Sequence, residues 1–270
     1  MPTFFPISIC IAPYANRPRS VIRPPDLPIR NHEDPKLGRW DPVTKKITEF
    51  QDPFIPGKEG IEDGGSKHTL RLDPKGRVWA SGGPLTMFDP ETHKFTHFEE
   101  VHTCYDVKPD SNGDVWFTTP GLNKIGKVDG KTMKVSQWMP PTEDAAPRRM
   151  EIGPDGMIYF GEFRGGKIGR FDPRTQTFKE FVLPGADPTP YGLGFDAGGY
   201  LWYDSHEMDV LGRFDPKTGN VVEYPFPPPE LAIREFFRDA DGRMWYGTSP
   251  NNKVGYFYFA SASDGAKSAR

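Results

Sequence analysis

Residues 156–162 read Gly156-Met157-Ile158-Tyr159-Phe160-Gly161-Glu162, and residues 167–173 read Lys167-Ile168-Gly169-Arg170-Phe171-Asp172-Pro173. Each holds a short β-favouring run, and Asp-Pro closes the second with a turn, so together they predict a hairpin. The pattern recurs. The aromatic after each Gly-x-apolar triplet falls at Trp79, Trp116, Tyr159, Trp202 and Trp245, with gaps of 37, 43, 43 and 43. The residue before or at the following turn falls at Trp40, Phe88, Val128, Phe171, Phe214 and Phe257, with gaps of 48, 40, 43, 43 and 43. The two anchors lie 12 residues apart in four units and 9 apart in one, so only the unit around Trp79 has a shortened loop.

A period near 43 with several short strands and Gly or Asp-Pro turns per unit is the signature of a four-stranded propeller blade, whereas helical repeats would show a period of 3.6. The expected fold is therefore all-β, a β-propeller of four-stranded antiparallel blades. In one unit the strands fall at 149–152 (a), 157–161 (b), 167–171 (c) and 177–181 (d). The regular inner position of Trp79, Trp116, Trp202 and Trp245 reads as blade-to-blade packing, not as a carbohydrate platform. Asp-Pro at 41, 89, 172 and 215 reads as turn chemistry, in which Asp accepts nearby backbone N–H groups.

The composition supports a soluble globular chain. Its 270 residues, 36% hydrophobic and 13% aromatic, suffice for one ample core. The 29 glycines and 30 prolines recur with the repeat, which fits turns rather than disorder. With 34 basic and 37 acidic residues interspersed, no field of one sign recruits nucleic acid or an acidic membrane. Cys10 and Cys104 are too few for a disulfide framework and lack metal-site spacing. No apolar run reaches the roughly 18 residues of a membrane span. Pro6 and Pro13 interrupt the apolar run from Phe4 to Ala12, and no basic region precedes it, so a cytoplasmic monomer is expected over a secreted one.

Eight prolines in residues 1–35 exclude two inner strands from that segment, which reads as an extension. The propeller is expected over 36–260, followed by a polar tail at 261–270. Four units look complete, while the first shows only strands c and d and the last only a, b and c. The expectation is about six blades, with the partial terminal units sharing ring closure, the strand at 46–50 completing the last blade.

In an up-and-down blade the loop between strands b and c lies beside the start of strand a. Counting eight residues back from each turn glycine gives His68, Tyr105, Arg148, Tyr191 and Arg234, which should ring a central funnel. Gly82, Thr119, Glu162, Ser205 and Thr248, at the ends of the b strands, should share that rim with His206 and Glu207.

The run Asp155-Gly156-Met157-Ile158-Tyr159-Phe160-Gly161-Glu162, followed by Lys167-Ile168-Gly169-Arg170-Phe171-Asp172-Pro173, resembles the blade repeat of the streptogramin (virginiamycin B) lyases, over about residues 36–259. The resemblance implies a seven-bladed fold and a carbon–oxygen lyase acting on a small carbonyl or lactone/ester compound in the funnel. It also implies an a-strand histidine as base, a second such histidine on substrate, and a Mg²⁺ ion held by a Glu two residues before the base and a Glu ending strand b. Glu162 matches the b-strand Glu and His68 an a-strand His. The family's Glu-Pro-His, however, reads here as Thr189-Pro190-Tyr191 and Ala232-Ile233-Arg234. His68, Tyr191 and Glu162 are thus the candidate catalytic residues, with Glu162 the candidate Mg²⁺ ligand. Tyr105, Arg148, Arg234, Ser205 and His206 are the candidate ligand contacts.

Bland readings stand beside these. Glu162 is either a metal ligand or an acid paired to Arg148, Arg149 or Arg164; His68 is either a base or a hydrogen-bonded channel residue. His93, His97 and His102 read as surface residues. Arg148 and Arg234 stand where the lyases place histidine, and a guanidinium is a poor base but a good anion clamp. They read either as that clamp or as partners of Glu151, Glu162, Glu207 and Glu235. A non-catalytic propeller binding a small anion and a sugar-lactonase-like hydrolase are the alternative functions.

Overall fold

The computed structural model describes residues 8–9, 36–41, 43–53, 67–225, 232–248 and 253–257. The chain divides into two compact units, residues 1–139 and 140–270. In the first unit β1 (Ser8–Ile9), β2 (Lys36–Trp40) and β3 (Ile47–Gln51) form a three-stranded sheet in that order. Two four-stranded antiparallel sheets follow in sequence order: β4 (Leu70–Leu72), β5 (Val78–Ala80), β6 (Leu85–Asp89) and β7 (Lys94–Phe98), then β8 (Asp106–Pro109), β9 (Val115–Thr119), β10 (Lys124–Val128) and β11 (Val135–Trp138).

The second unit repeats the scheme. One sheet holds β12 (Pro147–Ile152), β13 (Ile158–Glu162), β14 (Lys167–Asp172) and β15 (Thr177–Val182). The next holds β16 (Pro190–Phe195), β17 (Leu201–Ser205), β18 (Val210–Phe214) and β19 (Val221–Pro225). The last holds β20 (Ile233–Arg238), β21 (Met244–Thr248) and β22 (Val254–Phe257). Helix among the described residues amounts to one 3-10 turn, Pro120–Leu122, and none is long and apolar enough to cross a membrane.

Five of these sheets carry the a-b-c strand order and are propeller blades, one fewer than the six expected. The sheet at β2 and β3 supplies strands c and d as read, but the strand beside β2 is the two-residue β1, paired as Ser8↔Arg39 and Ile9↔Gly38. Pro6 and Pro13 bracket it, and proline cannot donate to a ladder, so this segment has little to offer a b strand. Among the described residues β3 pairs with β2 alone. The tail at 261–270 lies outside the described residues.

Within each blade burial follows strand position. Strands β9, β13 and β17, each second in its blade, are buried at all five residues, whereas β15, fourth in its blade, has no buried residue. The turn before each second strand needs a left-handed residue, and glycine supplies it at 76, 113, 156, 199 and 242, with φ between 77° and 88°. The Asp-Pro turns are Asx turns: Asp172 Oδ1 accepts the N–H groups of Arg174 at 2.8 Å and Thr175 at 3.3 Å, and Asp41, Asp89 and Asp215 act alike. Those backbone bonds hold the four carboxyls below their ordinary range.

A second aspartate, at the turn six residues before each tryptophan, fixes the indole. Trp79, Trp116, Trp202 and Trp245 donate Nε1–H to Asp73, Asp110, Asp196 and Asp239 at 2.9, 3.4, 2.8 and 2.7 Å. In the blade with Tyr159, Gly153 holds that place and the phenol reaches Asp155 instead, at 2.8 Å. Each turn is thereby tied to its core aromatic. Trp202→Phe leaves a smaller aromatic ring and removes the donor to Asp196 Oδ2, so a loss of about 1–3 kcal/mol is expected in urea denaturation. The same substitution made together with Asp196→Ala should cost less than the two single losses added.

Glycine in the third strand has a different cause. Gly126, Gly169, Gly212 and Gly255 lie directly opposite Phe117, Phe160, Tyr203 and Tyr246 across the pair of central strands. A methyl group added at the first three would stand 2.0–2.2 Å from the ring carbon it meets. The aromatic ring fills the space that a Cβ would need. In the blade with the shortened loop the matching pair is Ala80 opposite Thr86, so ring and glycine disappear together.

Candidate functional site

The second unit gathers the chemistry-bearing residues at the starts of its a strands. Each of β12, β16 and β20 carries a register shift against its neighbour, between Pro147 and Met150, Pro190 and Leu193, and Ile233 and Phe236. A bulge of this kind re-aims side chains. The residues inside the three bulges are Arg148 and Arg149, Tyr191 and Gly192, and Arg234 and Glu235. Counting along the repeat thus selected positions where the strands depart from regular pairing.

These residues converge on the buried ring of Tyr191. The guanidinium carbons of Arg148 and Arg234 lie 5.2 and 5.1 Å from its centroid, and Arg234 Nη1 donates to its hydroxyl at 3.0 Å. Arg148 is also 3.7 Å from the centre of Phe163. Arg149, buried, donates Nε–H to the carbonyl of Arg234 at 3.0 Å, joining the first and third a strands of the unit. Aromatic faces and two guanidinium groups make a patch that favours an anion or an electron-rich carbonyl.

His206 completes the cluster from the loop after β17. Its ring stacks on Tyr191 at 4.6 Å, and its Nδ1 lies 3.4 Å from Oδ2 of Asp204. The loop is tied down, because His206 N–H donates to the carbonyl of Thr189 at 3.0 Å and Glu207 N–H to the Thr189 hydroxyl at 3.0 Å. This is the expected meeting of a b–c loop with the start of an a strand. Asp204 is buried and accepts the N–H of Gly192. Burial raises its carboxyl above the ordinary range, opposed by His206 and that N–H. Ser205 is also buried, and its hydroxyl accepts the N–H of Thr189 at 3.1 Å, a brace rather than an exposed contact.

Glu162 sits apart from the arginines. It is fully buried at the end of β13, and neither carboxyl oxygen has a hydrogen-bond partner. Its oxygens face the backbone of Gly165 and Gly169, close to the Lys167–Glu180 ion pair. Burial and then the charge of Glu180 push its carboxyl up to about 7, against the opposing pull of Lys167. The expected pairing with Arg148, Arg149 or Arg164 is not formed, and Arg164 instead meets Asp144.

The same surroundings do not fit Mg²⁺. Lys167 Nζ already supplies a positive charge beside Glu162, 2.8 Å from Glu180 Oε2 and 2.6 Å from the Thr142 hydroxyl. Among the described residues no third Asp, Glu, His or Cys joins them, whereas Mg²⁺ demands near-octahedral oxygen donors.

In the first unit His68 and Tyr105 are neighbours, with ring centroids 4.5 Å apart. His68 is exposed, and its Nδ1 lies 3.1 Å from the Tyr105 carbonyl and 3.2 Å from the Thr69 hydroxyl. His97, taken as a surface residue, is partly buried instead: its Nε2 meets Asp52 at 2.7 Å, and the other carboxylate oxygen meets the buried Lys67 at 2.7 Å. Spacing gave no sign of this pair, because Asp52 and Lys67 flank a segment with no repeat pattern. Phe163 carries no signal in the repeat spacing, and Asp204 reads from sequence as a candidate channel carboxylate beside Glu162 and Glu207. Asp204 carried a signal, as an acid at a b-strand position held by Thr118 and Gly161 in other units.

Comparison with solved structures shows the same fold at low identity. A virginiamycin B lyase from Staphylococcus aureus is 22% identical with a TM-score of 0.63, covering 73% of this chain and 71% of its own. A catalytically inactive form of that lyase with quinupristin is 20% identical with a TM-score of 0.68, covering 84% and 78%. An auxiliary nutrient binding protein from Bacteroides thetaiotaomicron is 11% identical with a TM-score of 0.58, covering 82% and 64%. No curated protein matches the sequence. The profile of the Virginiamycin B lyase family matches residues 85–263, taking in four of the five blades and the whole Tyr191 cluster, and the chain belongs to that family.

Proposed function

We propose that the second unit binds a small carboxylate-bearing or carbonyl compound between Arg148 and Arg234. The observation that carries this reading is the convergence of both guanidinium groups on one buried ring, 5.2 and 5.1 Å from Tyr191. Arginine stays charged at any working pH and presents a planar fork that matches a carboxylate. If the protein is an enzyme, its kinship favours a carbon–oxygen lyase, and the cationic side chains suit the enolate that forms when a proton leaves a carbon beside a carbonyl. Among the described residues no three acids converge as the lactonase reading requires.

Calorimetric titration with acetate, pyruvate and phosphate tests the site. Arg148→Gln/Arg234→Gln is expected to weaken carboxylate binding by at least about 100-fold, since each bond to a charged group contributes about 1.5–3 kcal/mol. Its thermal midpoint should stay close to that of the parent. A large fall in stability with unaltered binding would assign the arginines to structure and end the reading.

A further inference from the structure

We propose that His206, held by Asp204, is the proton acceptor of this site, acting on a C–H next to a carbonyl in a carboxylate-bearing substrate. The inference rests on the anion reading above and adds the base which that reading lacks. Resemblance places a base on an a strand, where this unit has Arg148, Tyr191 and Arg234. His206 comes from the b–c loop instead and reaches the same ring by stacking at 4.6 Å.

Three features suit His206 to the task. Its Nδ1 is buried 3.4 Å from Asp204 Oδ2, within ion-pair range, and neither atom has a hydrogen-bond partner. A proton on Nδ1, facing Asp204, would leave the lone pair on Nε2, the form a base requires. Asp204 is anchored from behind by the N–H of Gly192. The space beside it, bounded by Ser205, Asp209 and Ile233, is about 10 Å³ and admits one water at most, so little water can screen its contact with His206. The loop backbone is fixed to Thr189, so the ring is held before a ligand arrives.

The step balances without a co-reactant. Nε2 takes the proton, the C–H electron pair becomes the C=C bond of an enolate, and the carbonyl π pair moves to oxygen, where an arginine or the Tyr191 hydroxyl can meet it. Return of the proton reverses the step. With an oxygen substituent on the next carbon, the enolate electrons expel it instead, and the leaving oxygen takes up the proton.

Pyruvate in D₂O is the probe, because it joins a carboxylate to a methyl group beside a ketone. Proton NMR of the full chain at saturating pyruvate should show methyl exchange well above the protein-free rate. His206→Gln should lower that exchange by about 100-fold with pyruvate affinity and thermal midpoint retained. Asp204→Asn should lower the exchange rate at saturation by at least ~10-fold, again at unchanged affinity, a split that a merely structural role would not produce. Binding without exchange, or exchange indifferent to His206→Gln, overturns the proposal and leaves the anion site standing. Failure of pyruvate and the other anions to bind overturns the anion reading and this inference with it.

Discussion

Gly212→Ala is expected to destabilise the protein by about 3 kcal/mol, the upper end of the cost of overpacking, as read by urea denaturation. The added methyl would stand 2.0 Å from a ring carbon of Tyr203, whose fully buried ring is pinned at its far end by a 2.9 Å bond from the hydroxyl to Glu223. The ring has nowhere to retreat. Gly169→Ala should behave alike against Phe160, which has no such tether, and so by a smaller margin. The blade with Ala80 opposite Thr86 points to the companion test. In Tyr203→Ala the alanine at 212 meets no ring, so the second substitution should cost far less than in the parent, a coupling of about 1–3 kcal/mol. Equal costs in both backgrounds would show that the ring does not set the glycine requirement.

The pH dependence of stability should change at a single buried acid. Glu162 keeps its proton in the folded protein up to about pH 7, whereas its ordinary value is 4.5. A carboxyl whose folded value is raised favours the folded state fully below 4.5, and that advantage is lost as pH rises from 4.5 to about 7. Each pH unit across this window costs about 1.4 kcal/mol, or roughly 3–4 kcal/mol in all. Glu162→Gln keeps the shape and removes the proton, so its stability should not follow that decline and should exceed the parent's above pH 7. Urea denaturation of both proteins from pH 4 to 8 makes the comparison. Parallel curves would mean that Glu162 is better solvated or better paired than its buried, unpartnered oxygens indicate.

The repeat was legible because blade structure is local. Two strands joined by a short turn, an aspartate that folds back on the next N–H groups, and a glycine at positive φ all lie within a dozen residues of one another. Spacing therefore carries them, and the five units anchored by Trp79, Trp116, Tyr159, Trp202 and Trp245 became the five blades. It also carried the a-strand positions of Arg148, Tyr191 and Arg234, since residues at one phase of a repeat share one place in their blades.

Spacing was silent on two matters, for different reasons. The pattern contains strands c and d of a first unit, but whether they acquire inner neighbours depends on a segment outside the repeat, and only β1 joins them among the described residues. Glu162 matched a metal-ligand position by sequence, yet its chemistry depends on Thr142, Lys167 and Glu180 and on the water excluded around it. Likewise Asp204 and His206 are two residues apart, but what makes them a pair is the bulge that delivers the N–H of Gly192 and the ring of Tyr191 from another strand. Hydrogen-bonding pattern and turn type are properties of neighbouring residues and were determined by the sequence itself. Desolvation, charge pairing and the aim of a side chain depend on strands brought together from elsewhere in the chain, and those only the tertiary structure decided.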